Sequence, residues 1–269
     1  MKIGMVLSGG GVRGVAHIGA IKALEEHGIM PTHISGTSAG AIVGALYAYG
    51  YDWKDILDFF KKLQIFDIKK FAINKPGFLD TEKFYPFFKT YLIDDDFRSL
   101  KKKLNVTATN ILNGKLEVFS KGELIRPILA SAAFPGIFAP VKIRDSYFVD
   151  GGALNNFPVE QLKSKCDFII GIYVNGFDAI SIRDLKYSYN VLERTFKLKS
   201  IKEDLAKFTD CDLIIYPKTV SKYSTFDKKN IDAIFDLGYN VAKEVLKNSN
   251  ITNKIPNKNK KSRIVKIIE

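Results

Sequence analysis

Short apolar runs alternate with helical stretches along most of the chain, which is the pattern of an α/β protein. The first run, residues 2–7, predicts a buried strand, and a helical stretch with apolar positions from Ile18 to Leu24 follows it. Gly28 marks the expected end of that helix. A second apolar run at 32–35 leads directly into a stretch of small residues with helical spacing. Two such units in succession predict parallel strands in one sheet.

The chain after residue 103 continues the pattern and adds a hairpin. Runs at 104–109 and 116–119 predict two strands joined at Asn113-Gly114, a sequence typical of tight hairpin turns. Residues 123–133 predict a helix that ends before Pro135-Gly136. Further strands are predicted at 138–141, 147–149, 166–174 and 211–217, and further helices at 183–208 and 228–248.

Residues 52–103 differ from the rest because aromatic side chains and lysines are interleaved there. Pro76-Gly77 divides the segment into two helical pieces, and the second piece opens at Asp80. Such a segment could line an apolar pocket or touch a membrane surface. The simpler interpretation is that most of these aromatics pack the helices onto the domain. We expect a helical cap-like insertion at 52–103 within one domain, residues 1–250, and a basic tail at 251–269.

Composition is compatible with one globular domain. The chain has 269 residues, of which 46% are hydrophobic and 26% charged. No apolar run reaches the roughly 18 residues that a membrane span requires. The N-terminus is a strand candidate and does not resemble a signal peptide. Cys166 and Cys211 are too few for a disulfide framework, so we expect a cytoplasmic protein.

The net charge of +12 would attract the chain to anionic lipid or to nucleic acid. Most of the charge is scattered, so a solvated, lysine-rich surface is the simpler interpretation, and no nucleic-acid-binding motif is present. One place where basic residues concentrate is 254–266. We therefore expect no nucleic-acid partner, and at most peripheral contact with an anionic membrane.

The first candidate for chemistry is the G-x-S-x-G sequence Gly36-Thr37-Ser38-Ala39-Gly40. Between a strand and a helix, this pattern predicts a sharp elbow that exposes Ser38 as a nucleophile. Gly36 and Gly40 lack the Cβ atoms that would crowd such a turn. The positive end of the following helix favours the alkoxide form of Ser38. The alternative is an ordinary tight turn that contains a serine.

A second candidate is the glycine-rich loop at 8–14, which lies between the first strand and the first helix. Its backbone N–H groups could hold a phosphate or the oxyanion of an acyl-transfer intermediate. The spacing of Gly9, Gly11 and Gly14 fits a dinucleotide-binding fingerprint, but the acidic residue expected after the second strand is missing. The loop also lacks the Lys-Ser/Thr ending of a P-loop. Since this loop and Ser38 are expected at the same sheet edge, the oxyanion role is favoured.

The serine needs a general base, and the histidines are poorly placed for that role. No histidine follows Ser38, His33 lies far up the incoming strand, and His27 lies at the far end of a helix. His17 is the one histidine that could approach the site. The other candidate is Asp150, which ends a strand and precedes Gly151-Gly152. Taken alone, Asp-Gly-Gly would be interpreted as an ordinary turn.

Together these segments resemble the patatin-like phospholipase family, in its bacterial type. The resemblance rests on residues 9–14, 36–40 and 150–152 in this order, on Ser131 to Phe138 before the aspartate and on Leu154 to Val159 after it. It extends from about residue 3 to about residue 176. The last ninety or so residues resemble the family only loosely.

The resemblance implies a three-layer α/β/α domain with a mostly parallel sheet and a serine–aspartate dyad that hydrolyses lipid acyl esters without metal or cofactor. It makes Ser38 the nucleophile and Asp150 the base. It assigns the oxyanion hole to the N–H groups of Gly10 and Gly11, with Gly9 shaping the turn and Arg13 supporting the loop or the developing charge. The elbow and turn glycines are Gly14, Gly36, Gly40, Gly151 and Gly152.

The expected substrate is a phospholipid or lysophospholipid, handled by a phospholipase A, lysophospholipase or esterase. Two alternatives remain open at this point. One is a lipid transacylase, which passes the acyl group to another lipid instead of to water. The other is a catalytically inactive membrane-binding module that uses the basic, aromatic segment 52–103.

Overall fold

The structure is a computed structural model that describes residues 1–64, 71–185, 187–226 and 228–249. The basic tail predicted at 251–269 lies outside these residues, as does part of the predicted cap-like insertion. The strands are β1 (Ile3–Leu7), β2 (His33–Thr37), β3 (Lys103–Asn110), β4 (Lys115–Phe119), β5 (Val141–Ile143), β6 (Ser146–Asp150), β7 (Phe168–Ile172) and β8 (Leu213–Ile215). The helices are α1 (Val15–Glu26), α2 (Ala39–Tyr49), α3 (Trp53–Lys62), α4 (Tyr85–Tyr91), α5 (Ile125–Ser131), α6 (Ser188–Ala206) and α7 (Ile231–Ser249).

The eight strands form one mostly parallel sheet, as the sequence predicts. Their order is β5-β6-β3-β2-β1-β7-β8, and β4 also pairs with β3. Strands β3, β2, β1, β7 and β8 run parallel to their neighbours, whereas the hairpin β3–β4 and the pairs β3–β6 and β5–β6 are antiparallel. The carboxyl ends of the parallel strands therefore meet at one edge, where ligands of open α/β sheets bind.

Both faces of the sheet are buried, which gives the three-layer α/β/α arrangement. Met5 and Leu7 of β1 belong to a large core together with residues of α1, α2, α5 and α7. Val6, between them, belongs to a smaller core on the other side with Phe157, Tyr173 and others. Because side chains alternate along a strand, this division places helices on one face and residues 157–162 and 208–211 on the other.

Helices α1 and α7 cross at close range through two glycines. A Cβ on Gly19 would lie 2.1 Å from the carbonyl oxygen of Phe235, and one on Gly238 would lie 2.1 Å from that of Ala16. The missing side chains let the two backbones touch. This contact attaches α7, from the chain's last ninety residues, to the first α/β unit.

The aromatic segment mainly packs into the core, as the simpler interpretation expects. Phe59 is fully buried, and its ring lies 4.9–5.7 Å from those of Phe60, Phe87, Phe88 and Tyr91. The second helical piece does begin after Asp80, whose side chain accepts a hydrogen bond from the N–H of Glu82. In the described part of the segment, Phe71 and Phe78 are exposed exceptions.

Several element boundaries differ from the sequence prediction by a few residues. Of the strand predicted at 138–141 only Val141 belongs to β5, while Phe138 makes an isolated bridge to Leu79. Pro140 has no N–H to donate to a ladder, which explains the late start. The helix predicted from residue 183 begins at Ser188, after a short 3₁₀ turn at Ile182–Asp184.

Candidate active site

Ser38 occupies the elbow between β2 and α2. Its φ of 55° and ψ of −124° lie in a region that side-chain-bearing residues rarely adopt. Such a conformation costs of order 1–3 kcal/mol and persists only where the surroundings enforce it. The surroundings here are the N–H groups of Ala41 and Ile42, which donate to the Ser38 carbonyl, and the hydroxyl of Ser131, which accepts from the Ser38 N–H at 2.8 Å.

The glycine-rich loop packs directly against this elbow. A Cβ on Gly9 would lie 3.2 Å from Cβ of Ser38, and one on Gly14 would lie 2.6 Å from Cβ of Ala39. The Gly9 N–H already donates to the carbonyl of Asn156. The N–H groups of Gly10 and Gly11 donate to no acceptor among the described residues. The loop therefore brings two uncommitted donors beside the serine.

Asp150 reaches the same place because β6 is antiparallel to β3. Asp150, the last residue of β6, pairs with Ala108 of β3, and the neighbouring Thr107 pairs with Thr37 of β2. The carboxylate thus lies at the level where β2 ends and the elbow begins. A carboxylate oxygen of Asp150 accepts the N–H of Gly152 at 2.7 Å, and the Ser38 side chain lies close enough to the same carboxylate to lower its pKa.

Burial makes Asp150 an unusually basic carboxylate. The residue is 4% exposed, and desolvation raises its pKa to about 6, against the opposing effect of the hydrogen bonds from Ser38 and Gly152. A carboxylate of this kind is ionised at neutral pH and is a stronger base than an exposed aspartate. It therefore has the protonation state that a general base needs.

The histidines have other roles. Nε2 of His17 lies 2.8 Å from the carbonyl oxygen of Ser8, and burial lowers the pKa of His17 to about 4. Its Nδ1 has no hydrogen-bond partner among the described residues. His33 begins β2, at the end opposite the elbow, and His27 follows the end of α1.

Arg13 is buried and points away from the elbow toward α6. Its Nε donates to the carbonyl of Tyr223 at 2.7 Å, and Nη1 donates to Glu193 at 3.2 Å. Burial lowers the pKa of Arg13, and Glu193 opposes that effect. Of the two roles expected for Arg13, these contacts fit support of the loop.

Two spaces meet at Ser38 and Asp150. The apolar cleft encloses about 830 Å³, including its open mouth, and is lined by Ile42, Phe60, Leu63, Phe84, Phe88 and Phe138 among others. The second space encloses about 440 Å³ and is called the polar chamber after the polar side chains that line it, Asn156, Asn175, Glu193, Lys197, Ser200 and Thr225; Phe134 and Phe196 line it as well. An amphiphilic ester could place its chain in the cleft and its polar part in the chamber.

Comparison with known proteins identifies the family of this domain. The family model for patatin-like phospholipase matches residues 5–163 of the chain. The chain belongs to the patatin-like phospholipase family. The predicted fold class is thereby confirmed, and the family membership supports the predicted enzyme class, a hydrolase of lipid acyl esters.

Curated relatives carry the name lysophospholipase. The chain is 29% identical to Lysophospholipase NTE1 of Meyerozyma guilliermondii over 94% of its length, and 30% identical to Lysophospholipase nte1 of Emericella nidulans over 91%. It spans only about a fifth of these relatives, 20% and 18% respectively. Among solved structures, VipD from Legionella pneumophila aligns with a TM-score of 0.57 at 19% identity, covering 91% of this chain and 67% of VipD. That likeness concerns the fold alone.

Several residues of this patatin-like site escape sequence analysis. Glu193 and Lys197 of α6 reach it from about 150 residues beyond the elbow, and Thr225 comes from a loop further on. The side chain of Asn156 is buried and connects the site to α6, because its N–H donates to Asp204 at 3.1 Å. The signal that could have found Asn156 was its place just after Asp150. No comparable signal marks the α6 residues.

The described residues contain neither a metal-binding cluster nor a membrane-spanning helix. Among the described residues, no group of three or more His, Cys, Asp or Glu side chains could hold a metal ion. In the part of the chain that the structure describes, no helix has the length and apolarity to cross a membrane.

Gly40 is expected to tolerate no side chain. A Cβ there would lie 2.3 Å from the Leu7 carbonyl oxygen and 2.7 Å from that of Ser8, both of them backbone atoms that cannot rotate away. We expect Gly40→Ala to lower the free energy of unfolding by more than about 3 kcal/mol, beyond the usual cost of overpacking. Chemical denaturation measures this difference.

Gly44→Ala is the matched control, one turn later in α2. There the nearest atom is a side-chain methyl of Ile34 at 2.9 Å, so we expect a much smaller loss of stability. Alanine is favoured over glycine inside helices by up to about 1 kcal/mol. A stabilised Gly40→Ala variant would therefore contradict the close contact between the elbow helix and β1.

Proposed function

We propose that this domain hydrolyses the acyl ester of a lysophospholipid through an acyl-enzyme on Ser38. The observation that carries the proposal is the meeting of the Ser38 side chain and the buried Asp150 carboxylate at the junction of an apolar cleft and a polar chamber. Family membership and the names of the curated relatives support the same substrate class.

In the first step Asp150 takes the proton of Ser38 as its Oγ attacks the ester carbonyl. The uncommitted N–H groups of Gly10 and Gly11 accommodate the negative charge that develops on the carbonyl oxygen. When the tetrahedral intermediate collapses, the bond to the glycerol oxygen breaks and Asp150 returns the proton to that oxygen. The acyl chain stays on Ser38.

In the second step water replaces the alcohol. Asp150 takes a proton from water, the resulting hydroxide attacks the acyl carbonyl, and the same donors hold the second oxyanion. Collapse releases the fatty acid and returns the proton to Ser38 Oγ. The low polarity of the cleft excludes bulk water, which strengthens each of these electrostatic interactions.

Fatty-acid release from a lipid panel tests the proposal. The panel contains a lysophospholipid, a diacyl phospholipid and a monoacylglycerol with the same acyl chain, with a chelator present throughout. We expect release from the lysophospholipid that the chelator does not change. Transfer of the acyl group to an added alcohol in preference to water would favour a transacylase. Vesicle binding without any ester cleavage would favour a membrane-binding module, for which the net charge of +12 would serve anionic lipid.

The rate should depend on the ionisation of Asp150. Since the base must be unprotonated and its pKa is about 6, kcat/KM should fall about tenfold for each pH unit below 6 and level off above it. A pH series on a water-soluble ester of short chain, which avoids changes in lipid packing, measures this profile. A profile that stays level down to about pH 4 and falls only below it would show that Asp150 is an ordinary, solvated carboxylate.

A further inference from the structure

Lys197 is a buried cation that the proposed reaction does not use. It lies on α6, its side chain is 11% exposed, and it lines the polar chamber together with Ser38 and Asp150. Lysine is seldom buried to this extent without an anion beside it. An anion is therefore expected beside the Lys197 ammonium.

Glu193 is one such anion, but it does not satisfy the Lys197 ammonium completely. The Lys197 ammonium lies 2.6 Å from Oε1 of Glu193, one turn earlier in α6. The same oxygen also accepts from Nη1 of Arg13 at 3.2 Å and from the Thr225 hydroxyl. A single carboxylate thus neutralises two cations. The ammonium has three N–H donors, and beyond Glu193 it has no acceptor among the described residues.

Arg13 and Lys197, the two cations beside the chamber, share a single carboxylate, that of Glu193. Asp150, the other carboxylate on the chamber lining, accepts from Gly152 and contacts neither cation among the described residues. Desolvation, aided by Arg13 and opposed by Glu193, lowers the pKa of Lys197 to about 8. A group with that pKa is still mainly charged at neutral pH, and a bound anion would raise its pKa again. Apart from Asp150, Glu193 and Lys197, the polar side chains of the lining are neutral: Ser38, Asn156, Asn175, Ser200 and Thr225.

We propose that Lys197 binds the phosphodiester of the lysophospholipid headgroup in the polar chamber. The inference rests on the proposed function, because it assumes that the acyl chain lies in the apolar cleft and the ester at Ser38. The glycerol side of the ester then faces the chamber, where the lining offers one partly uncommitted ammonium. A phosphate oxygen is an acceptor of matching charge for it.

The test compares two esters with the same acyl chain, one with a phosphocholine headgroup and one with a free hydroxyl in its place. Lysophosphatidylcholine and a monoacylglycerol with the same acyl chain are hydrolysed by the wild type and by Lys197→Met. We expect KM for the lysophospholipid to rise roughly tenfold to a hundredfold, the usual loss when a hydrogen bond to a charged group is removed. The KM for monoacylglycerol and both kcat values should change little. Lys197→Arg should keep a low KM for the lysophospholipid because it keeps the charge.

Lys202→Met is the matched control, because Lys202 is an exposed lysine on the same helix. It should leave both substrates unaffected. If Lys197→Met fails to fold, Lys197→Gln, which retains N–H donors without the charge, takes its place. Equal losses on both esters would assign Lys197 to holding α6 on the loop and would overturn the proposal. Unchanged KM for the lysophospholipid would overturn it as well.

Two further outcomes are distinguishable. A wild type that hydrolyses neither ester contradicts the proposed function itself, whereas hydrolysis of both with no effect of Lys197 contradicts only the headgroup subsite. Inorganic phosphate forms a separate arm of the experiment. If millimolar phosphate inhibits monoacylglycerol hydrolysis and Lys197→Met removes that inhibition without changing KM for the lysophospholipid, the chamber holds a free anion, and the headgroup assignment is wrong.

Discussion

Asp150→Asn is expected to lower kcat by about 10⁴ or more, the scale of loss seen when the base of a serine nucleophile is disabled. The asparagine side chain can still accept the N–H of Gly152, so the turn should keep its shape. It cannot take the proton of Ser38. Release of fatty acid from the preferred lipid, measured beside the wild type, gives the ratio. Activity within tenfold of the wild type would move the search for the base to His17.

The same substitution is expected to stabilise the fold at neutral pH. A carboxyl whose pKa is raised from 3.8 to about 6 by burial binds its proton more tightly in the folded state, so its ionisation costs stability as pH rises through this range. The cost at pH 7.5 is on the order of 3 kcal/mol, a net value that already includes what the ionised form gains from Ser38 and Gly152. Because asparagine does not ionise, the variant does not carry this cost.

Thermal melting at two pH values isolates this effect. We expect Asp150→Asn to melt above the wild type at pH 7.5, and the two proteins to melt together at about pH 3 or below, where Asp150 is mainly protonated in both the folded and unfolded states. Asp95→Asn is a useful control, since Asp95 accepts hydrogen bonds outside the site. A destabilised Asp150→Asn variant at pH 7.5 would show that its carboxylate is well solvated.

Ser38→Ala is expected to remove turnover almost completely, by about 10⁶ in kcat, since no other side chain can carry the acyl group. The fold should be nearly unchanged in stability, because alanine meets the same backbone restriction at a φ of 55°. Ser38→Gly should be equally inactive but more stable by about 1 kcal/mol, since glycine adopts positive φ without strain. Substantial activity in folded Ser38→Ala would exclude an acyl-enzyme on this residue.

The first two units of the fold could be predicted because each is encoded locally. Residues 2–7 and 32–35 are short apolar runs, each followed by residues with helical spacing. Gly36 and Gly40 indicate the tight elbow between the second strand and its helix. Asp150 could be suggested from a strand end followed by two glycines. That it meets Ser38 depends on the antiparallel register of β6 on β3, which no local pattern contains.

The α6 side of the site could not be predicted for a physical reason. Helix α6 is mostly half-buried or exposed and has no clear apolar stripe, so nothing in its sequence tells which face meets the domain. Glu193 and Lys197 are one turn apart, as in many solvated ion pairs on helix surfaces. Only the fold shows that the loop residue Arg13 completes the cluster and buries it.

The central claim is that Ser38 is the nucleophile and that Asp150 alone activates it. The most direct measurement is covalent labelling by an alkyl fluorophosphonate, which reacts with activated serines, followed by mass spectrometry of the intact protein and of its peptides. The account predicts one adduct, on the peptide that contains Ser38, absent in Ser38→Ala and formed far more slowly in Asp150→Asn. An adduct on another residue, or equal labelling rates in the wild type and Asp150→Asn, would contradict it.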